Sequence, residues 1–172
     1  MTDITAAHVE KETLSVDVNL PEHAARSTTA LFARSRHEVL ATGAVCFTCQ
    51  LGEAETGHPL ELHHYPIERC FAESGLVDWD VFRAQALAGD YGPAAQSFDW
   101  SRFDPESWEL FVDDMRHNGR VLCKPHHIGA DEGVHMVPEP IWLAQRFVRD
   151  GVQFNHLEVI HRGALAKATK AP

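Results

Sequence analysis

The chain has no apolar run approaching the ~20 residues that a membrane-spanning helix needs. Its first twenty residues, MTDITAAHVEKETLSVDVNL, lack the basic start and apolar stretch of a secretory signal. Basic residues are in deficit, with 15 Lys and Arg against 25 Asp and Glu and a formal charge of −10. That deficit argues against a simple nucleic-acid binder, because phosphate contacts need Lys and Arg. Cysteine is scarce at four residues, and no internal repeat is visible. The expectation is a soluble cytoplasmic protein with no membrane partner, whose thiols hold metal rather than form disulfides.

What is present belongs to one globular domain: 172 residues, 44% apolar and 23% charged, enough to bury a real core. The acidity is regional. Residues 51–117 hold 14 acids and 4 bases, whereas 118–172 hold 5 acids and 7 bases and 21–50 hold 2 and 3. Residues 1–18 have no clear period and read as a loose segment, and 163–172 read as a flexible basic tail. A helix is predicted from Asn19 as cap, through Pro21, to Gly43, with Ala25, Phe32 and Val39 on one face. Leu60 and Leu62 alternate with Glu61 and His63, as in a short strand that sends His63 and His64 to opposite faces. DWDVFRAQALAG reads as a helix ended by Gly89. DPESWELFVDDMRHNG reads as a longer one, capped by Asp104, stopped by Gly119 and packed through Trp108, Phe111, Val112 and Met115. RVL is a brief strand into Cys123, and PEPIWLAQRFVRDG a further helix stopped by Gly151.

Cys46 and Cys49 form a C-x-x-C turn, a spacing that also serves redox chemistry. The redox reading wants a thioredoxin-like β-α context, which AVCFTCQLGE does not clearly provide. A second pair at the same spacing, Cys123-Lys-Pro-His126, completes a Cys₃His set of the kind that closes around structural Zn²⁺. Cys70 falls outside both pairs and reads as a buried thiol. Once the quartet is assigned, His63, His64, His127 and His135 are left over. His8, His23, His37, His58, His117, His156 and His161 read as surface imidazoles.

Cys46-x-x-Cys49, then LHHYP, then Asn118 in NGRVLC, then KPHH, resembles the HNH nucleases. In that family a ββα-metal (His-Me finger) core often sits on a zinc-knuckle pair. The likeness covers residues 46–65 and 118–135, about a quarter of the chain. It departs from the family pattern in placing His126 where a second Cys is usual, and in a much longer insertion. The implied organisation is α+β, with a single HNH-like domain over 19–162, its core at 46–65 and 118–135 and a helical insertion at 66–117.

The resemblance implies roles. His64 would be the general base that activates water, and His63 and His127 would bind a catalytic Mg²⁺ or Mn²⁺. Asn118 would brace the loop holding the base or join the metal shell. A further ligand is expected either one helical turn past His127, at Asp131, or at His135, approaching from a loop. Lys124, Arg120 and Arg116 lie beside the expected site as candidate phosphate contacts. The leading expectation is a metal-dependent DNA endonuclease. A catalytically silent zinc-organised module that binds nucleic acid or protein is the alternative, favoured by the negative charge. The acidic insertion is a candidate protein-binding surface. A zinc hydrolase of small substrates stands third, because no H-E-x-x-H signature occurs.

Overall fold

The computed structural model describes residues 28–130, 133–136, 143–144, 146–149 and 151–152. The expected loose N-terminal segment, the tail, Asp131 and half of the helix expected over PEPIWLAQRFVRDG lie outside these residues; in the described half Val148 bridges Val77 instead of continuing a helix. The described part mixes helices with a small two-stranded antiparallel sheet. None of its helices is long and apolar enough to cross a membrane.

Helix α1 (Ala30–Leu40) starts well after Asn19. Thr29 is its cap: extended at φ −76° and ψ 156°, its side chain accepts the Phe32 N–H at 3.1 Å. Asn19 and Pro21 lie outside the described residues, and Thr29 sits where the chain meets the buried Asp113. Ser35, fully buried on α1, donates to the Asp113 carbonyl at 3.2 Å and accepts the Met115 N–H at 3.0 Å. One hydroxyl thus satisfies two backbone groups where α1 docks.

Helix α2 (Glu53–Thr56) leads into β1 (Leu60–His64), which pairs antiparallel with β2 (Gly119–Cys123). The register sets Leu60 opposite Cys123, His63 opposite Arg120 and His64 opposite Gly119. A Cβ on Gly119 would lie 2.3 Å from the Met115 carbonyl oxygen, so only glycine lets the preceding turn fold this tightly onto the strand. Helix α7 (Lys124–Ile128) follows β2 at once, with Pro125 in its first turn. Between the strands come α3 (Arg69–Glu73), α4 (Trp79–Ala88), α5 (Pro93–Gln96) and α6 (Glu109–Val112). Helix α4 is capped by Asp78 and ends at Gly89 in the left-handed region, φ +89°.

The long helix expected from Asp104 to Gly119 is absent. Asp104 does cap, but a 3₁₀ turn over Pro105–Ser107 and the four residues of α6 stand in its place. The chain leaves the helix at Asp113 because consecutive buried carboxylates, Asp113 and Asp114, turn to Arg69 and Arg116. Phe111, Val112 and Met115 are buried as the apolar stripe requires.

The segment expected as an insertion carries the larger core. Phe71, Val77, Phe82, Tyr91, Trp100 and Phe111 pack with Phe147 and Val148, while a smaller cluster of Leu60, Leu122 and Val134 lies beside the cysteines. Phe82 is its centre, with ring centroids 4.9 Å from Tyr91, 5.7 Å from Trp100 and 5.4 Å from both Phe111 and Phe147. Truncating such a ring leaves a cavity its neighbours cannot fill. Phe82→Ala is expected to cost ~3–5 kcal/mol, read as a lower urea midpoint at unchanged slope.

Candidate metal centres

The turn after α1 folds the C-x-x-C into a knuckle. The Gln50 N–H bonds the Cys46 carbonyl at 2.8 Å, and the Cys46 N–H bonds the Leu51 carbonyl at 2.9 Å. Gln50 takes the left-handed conformation, φ +61°, that this closure demands. The Phe47 N–H reaches the Val121 carbonyl at 2.8 Å, which fastens the knuckle to the edge of β2. Cys123 ends β2 and caps α7, and His126 follows one turn later. The His126 Nδ1 stands 3.1 Å from the Cys123 Sγ and 3.6 Å from the Cys46 Sγ.

Cys46, Cys49, Cys123 and His126 each offer a ligand atom within 4.8 Å of the others and could hold a metal ion such as zinc. Tetrahedral Zn–S and Zn–N bonds of ~2.3 and ~2.0 Å bring ligand atoms about 3.5–3.8 Å apart, so the donor set fits with little movement. Burial disfavours the Cys46 thiolate, but backbone N–H donors of Cys49, Cys123 and Thr48 outweigh it and bring Cys46 down to about 6. Burial and the neighbouring Cys46 push Cys123 up. One sulfur is thus ready as a thiolate, and a metal supplies the charge that deprotonates the other. Cys70 is buried among the helices and belongs to neither ligand group.

A second group lies on the other side of α7. His63, His127 and His135 each bring a ring nitrogen within 4.8 Å of the others and could also hold an ion. His63 comes from β1 and His127 from α7. His135 comes from a 3₁₀ turn, Val134–Met136, entered after α7 has stopped at Gly129. His127 and His135 face each other Nε2 to Nε2 at 3.1 Å, and the ring centroids of His63 and His135 are 4.9 Å apart. Burial and then the neighbouring His135 and His127 hold His63 down at about 3, so it is neutral and ready to bind at any ordinary pH.

Glu61 stands behind this group, through His127, and was missed by motif reasoning. Its Oε2 accepts from the His127 Nδ1 at 2.7 Å, which leaves the His127 Nε2 as the ligand nitrogen. The i, i+2 step from Glu61 to His63 on a strand, which puts both on one face, was the available signal. Glu68 Oε1 lies 3.5 Å from the His63 Nε2.

His64 and Asn118 stand apart from both groups. The His64 ring stacks on Phe32, and its Nε2 points inward, 3.9 Å from Asp113 Oδ1. Asn118 is fully buried: its amide donates to the Ile67 and Val112 carbonyls at 2.8 and 3.0 Å and accepts the Ile67 N–H at 3.0 Å. It therefore braces the segment that follows His64. Of the cations expected at phosphate, Arg116 is held by Asp114 and Glu38 instead. Arg120 lies between the Tyr65 and Phe47 rings at 3.4 and 4.2 Å, and Lys124 is exposed. Comparison with family models, with curated proteins and with solved structures found no match for this chain.

Two measurements follow from this geometry. Glu61→Gln removes the carboxylate behind His127 and is expected to weaken ion binding at the histidine group about 10- to 100-fold, read by titration of the metal into quartet-loaded protein. His63 binds a proton in the unfolded chain below about 6.5 but in the folded chain only near 3. The metal-free protein is therefore expected to lose stability as pH falls between these values, by up to ~1.4 kcal/mol per pH unit. Urea midpoints between pH 6.5 and 4.5 should show this slope, and His63→Gln should flatten it.

Proposed function

We propose that this chain is a metal-dependent DNA endonuclease of the HNH kind, stabilised by a structural zinc at Cys46, Cys49, Cys123 and His126. The observation that carries the reading is the convergence of His63, His127 and His135 into a second ligand group, separate from the Cys₃His quartet. A zinc site that only holds a fold together has no use for three further imidazoles, one of them buried and kept neutral. The succession β1, β2, α7, with ligands on the first strand and the helix, supports the ββα-metal reading.

Phosphodiester hydrolysis requires a water oxygen to attack phosphorus as the bond to the leaving oxygen breaks. His64 takes the proton of that water in this scheme, imidazole being the side chain suited to general-base work near neutral pH. Asn118 keeps the chain after His64 in place through both faces of its amide. Arg120, its guanidinium over the Tyr65 ring, borders a hollow of about 530 Å³ that reaches His117 and Phe47. A bound divalent ion would supply neutralisation of charge on the phosphoryl and leaving oxygens. Three imidazoles favour a transition ion such as Mn²⁺, Ni²⁺ or Zn²⁺ over Mg²⁺, which prefers oxygen ligands.

The net charge of −10 favours a second reading, a zinc-organised interaction module without catalysis. A supercoiled-plasmid assay with Mg²⁺, Mn²⁺, Ni²⁺ or EDTA separates the two. Metal-dependent nicking or linearisation is expected, with at least a ~100-fold loss in a folded, zinc-loaded His64→Ala variant. A wild-type protein that keeps one tightly held zinc yet cleaves nothing with any ion would establish the module instead.

A further inference from the structure

We propose that Asp113 is a positioning residue for His64, so that the segment between the strands supplies a working part of the site. The inference rests on the nuclease reading above. Asp113 is 1% exposed, and the His64 ring is 11% exposed. The His64 Nε2 is buried and makes no hydrogen bond at its present distance. An acceptor nevertheless faces it, Asp113 Oδ1 at 3.9 Å, and a shift of about 1 Å brings the pair to hydrogen-bond length. Leaving a buried imidazole N–H unsatisfied is costly, and that cost favours the closed pair.

The carboxylate is itself held from two other elements. Arg69, at the start of α3, donates to both its oxygens, with Oδ1 at 2.6 Å, and the Thr29 hydroxyl donates to Oδ2 at 2.9 Å. Arg69 already balances the charge of Asp113, so the carboxylate can face a neutral imidazole. Its effect on His64 is orientation and choice of tautomer. The surroundings leave the ring a defined seat. Phe32 stacks on it at a centroid distance of 5.6 Å with planes 22° apart, and the cross-strand position opposite is Gly119, which has no side chain.

With the Nε2 proton directed to Asp113, the Nδ1 of His64 is the nitrogen left to accept a proton from water. The carboxylate that fixes one end of the imidazole thus selects the working atom at the other. Asp114, its neighbour in sequence, is equally buried but spends its oxygens on Arg116. The two adjacent acids therefore have separable tasks.

The test is a long-range ¹H–¹⁵N spectrum of the imidazoles in the full-length, zinc-loaded protein, with His64 assigned by the loss of its signals in His64→Gln. His64 is expected as the Nε2–H tautomer in wild type. Asp113→Asn should disturb that tautomer and lower kcat for plasmid cleavage by about 10- to 100-fold with KM little changed. Asp114→Asn should leave the tautomer and kcat as they are. An Nδ1–H tautomer in wild type overturns the pairing, whether or not the protein cleaves DNA and whether or not Asp113→Asn folds. Unchanged kcat in a folded Asp113→Asn overturns the positioning role. An Nε2–H tautomer in a wild-type protein that cleaves nothing supports the pairing while removing the nuclease reading.

Discussion

The register of β1 against β2 is the constraint on which every candidate ligand depends. Side chains alternate along a strand, so a slip of one residue would exchange the faces of His63 and His64 and take Cys123 out of reach of Cys46. A two-stranded ribbon is weak by itself and does not fix its own register. Here backbone bonds outside the ladder do so. Phe47 N–H to Val121, Lys124 N–H to Pro59 and Tyr65 N–H to Asn118 lock the ribbon near both ends, and Asn118 ties its open end to Ile67 and Val112. The ribbon is rigid because the knuckle and the helical segment both hold it.

That dependence reverses the expected hierarchy between core and insertion. Residues 66–117 look like an addition to a small metal-bound unit, yet they contain most of the large buried side chains. Their acidity is also less superficial than the charge count implies. Glu68, Asp113 and Asp114 are buried, and all three approach a histidine or arginine. The carboxylates nearest the candidate site are therefore part of its framework rather than a surface offered to a partner.

Much of the site was legible because its signals are local. Two x-x spacings, a pair of adjacent histidines on an alternating strand and a His directly after a ligand are visible without knowing the fold, and the structure brings all of those side chains except His64 into two groups. Gly89 and Asp78 mark α4 for the same reason, since a cap and a left-handed stop are written in neighbouring residues. What was not legible depends on distant partners. The break at Asp113 follows from Arg69, Thr29 and His64, which lie 44 residues and more away. DYGPAAQSFDWSRF has the composition of a loop, yet Tyr91, Ala95 and Trp100 are buried because Phe82 and Phe111 provide a surface for them. Helix α1 begins at Thr29, where a tertiary contact to Asp113 coincides with a local cap.

Helix α7 is five residues long, too short to persist in water on its own. It nevertheless carries one member of each ligand group in adjacent positions, His126 and His127. His126 meets Cys46 across 80 residues of chain, and His127 meets Glu61 across 66. The aromatic core, apart from Phe147, lies within those spans. Unlike a zinc-finger peptide, which folds around its ion unaided, no short fragment of this chain contains either centre. An ion held at these positions is thus a report that the whole intervening domain has folded.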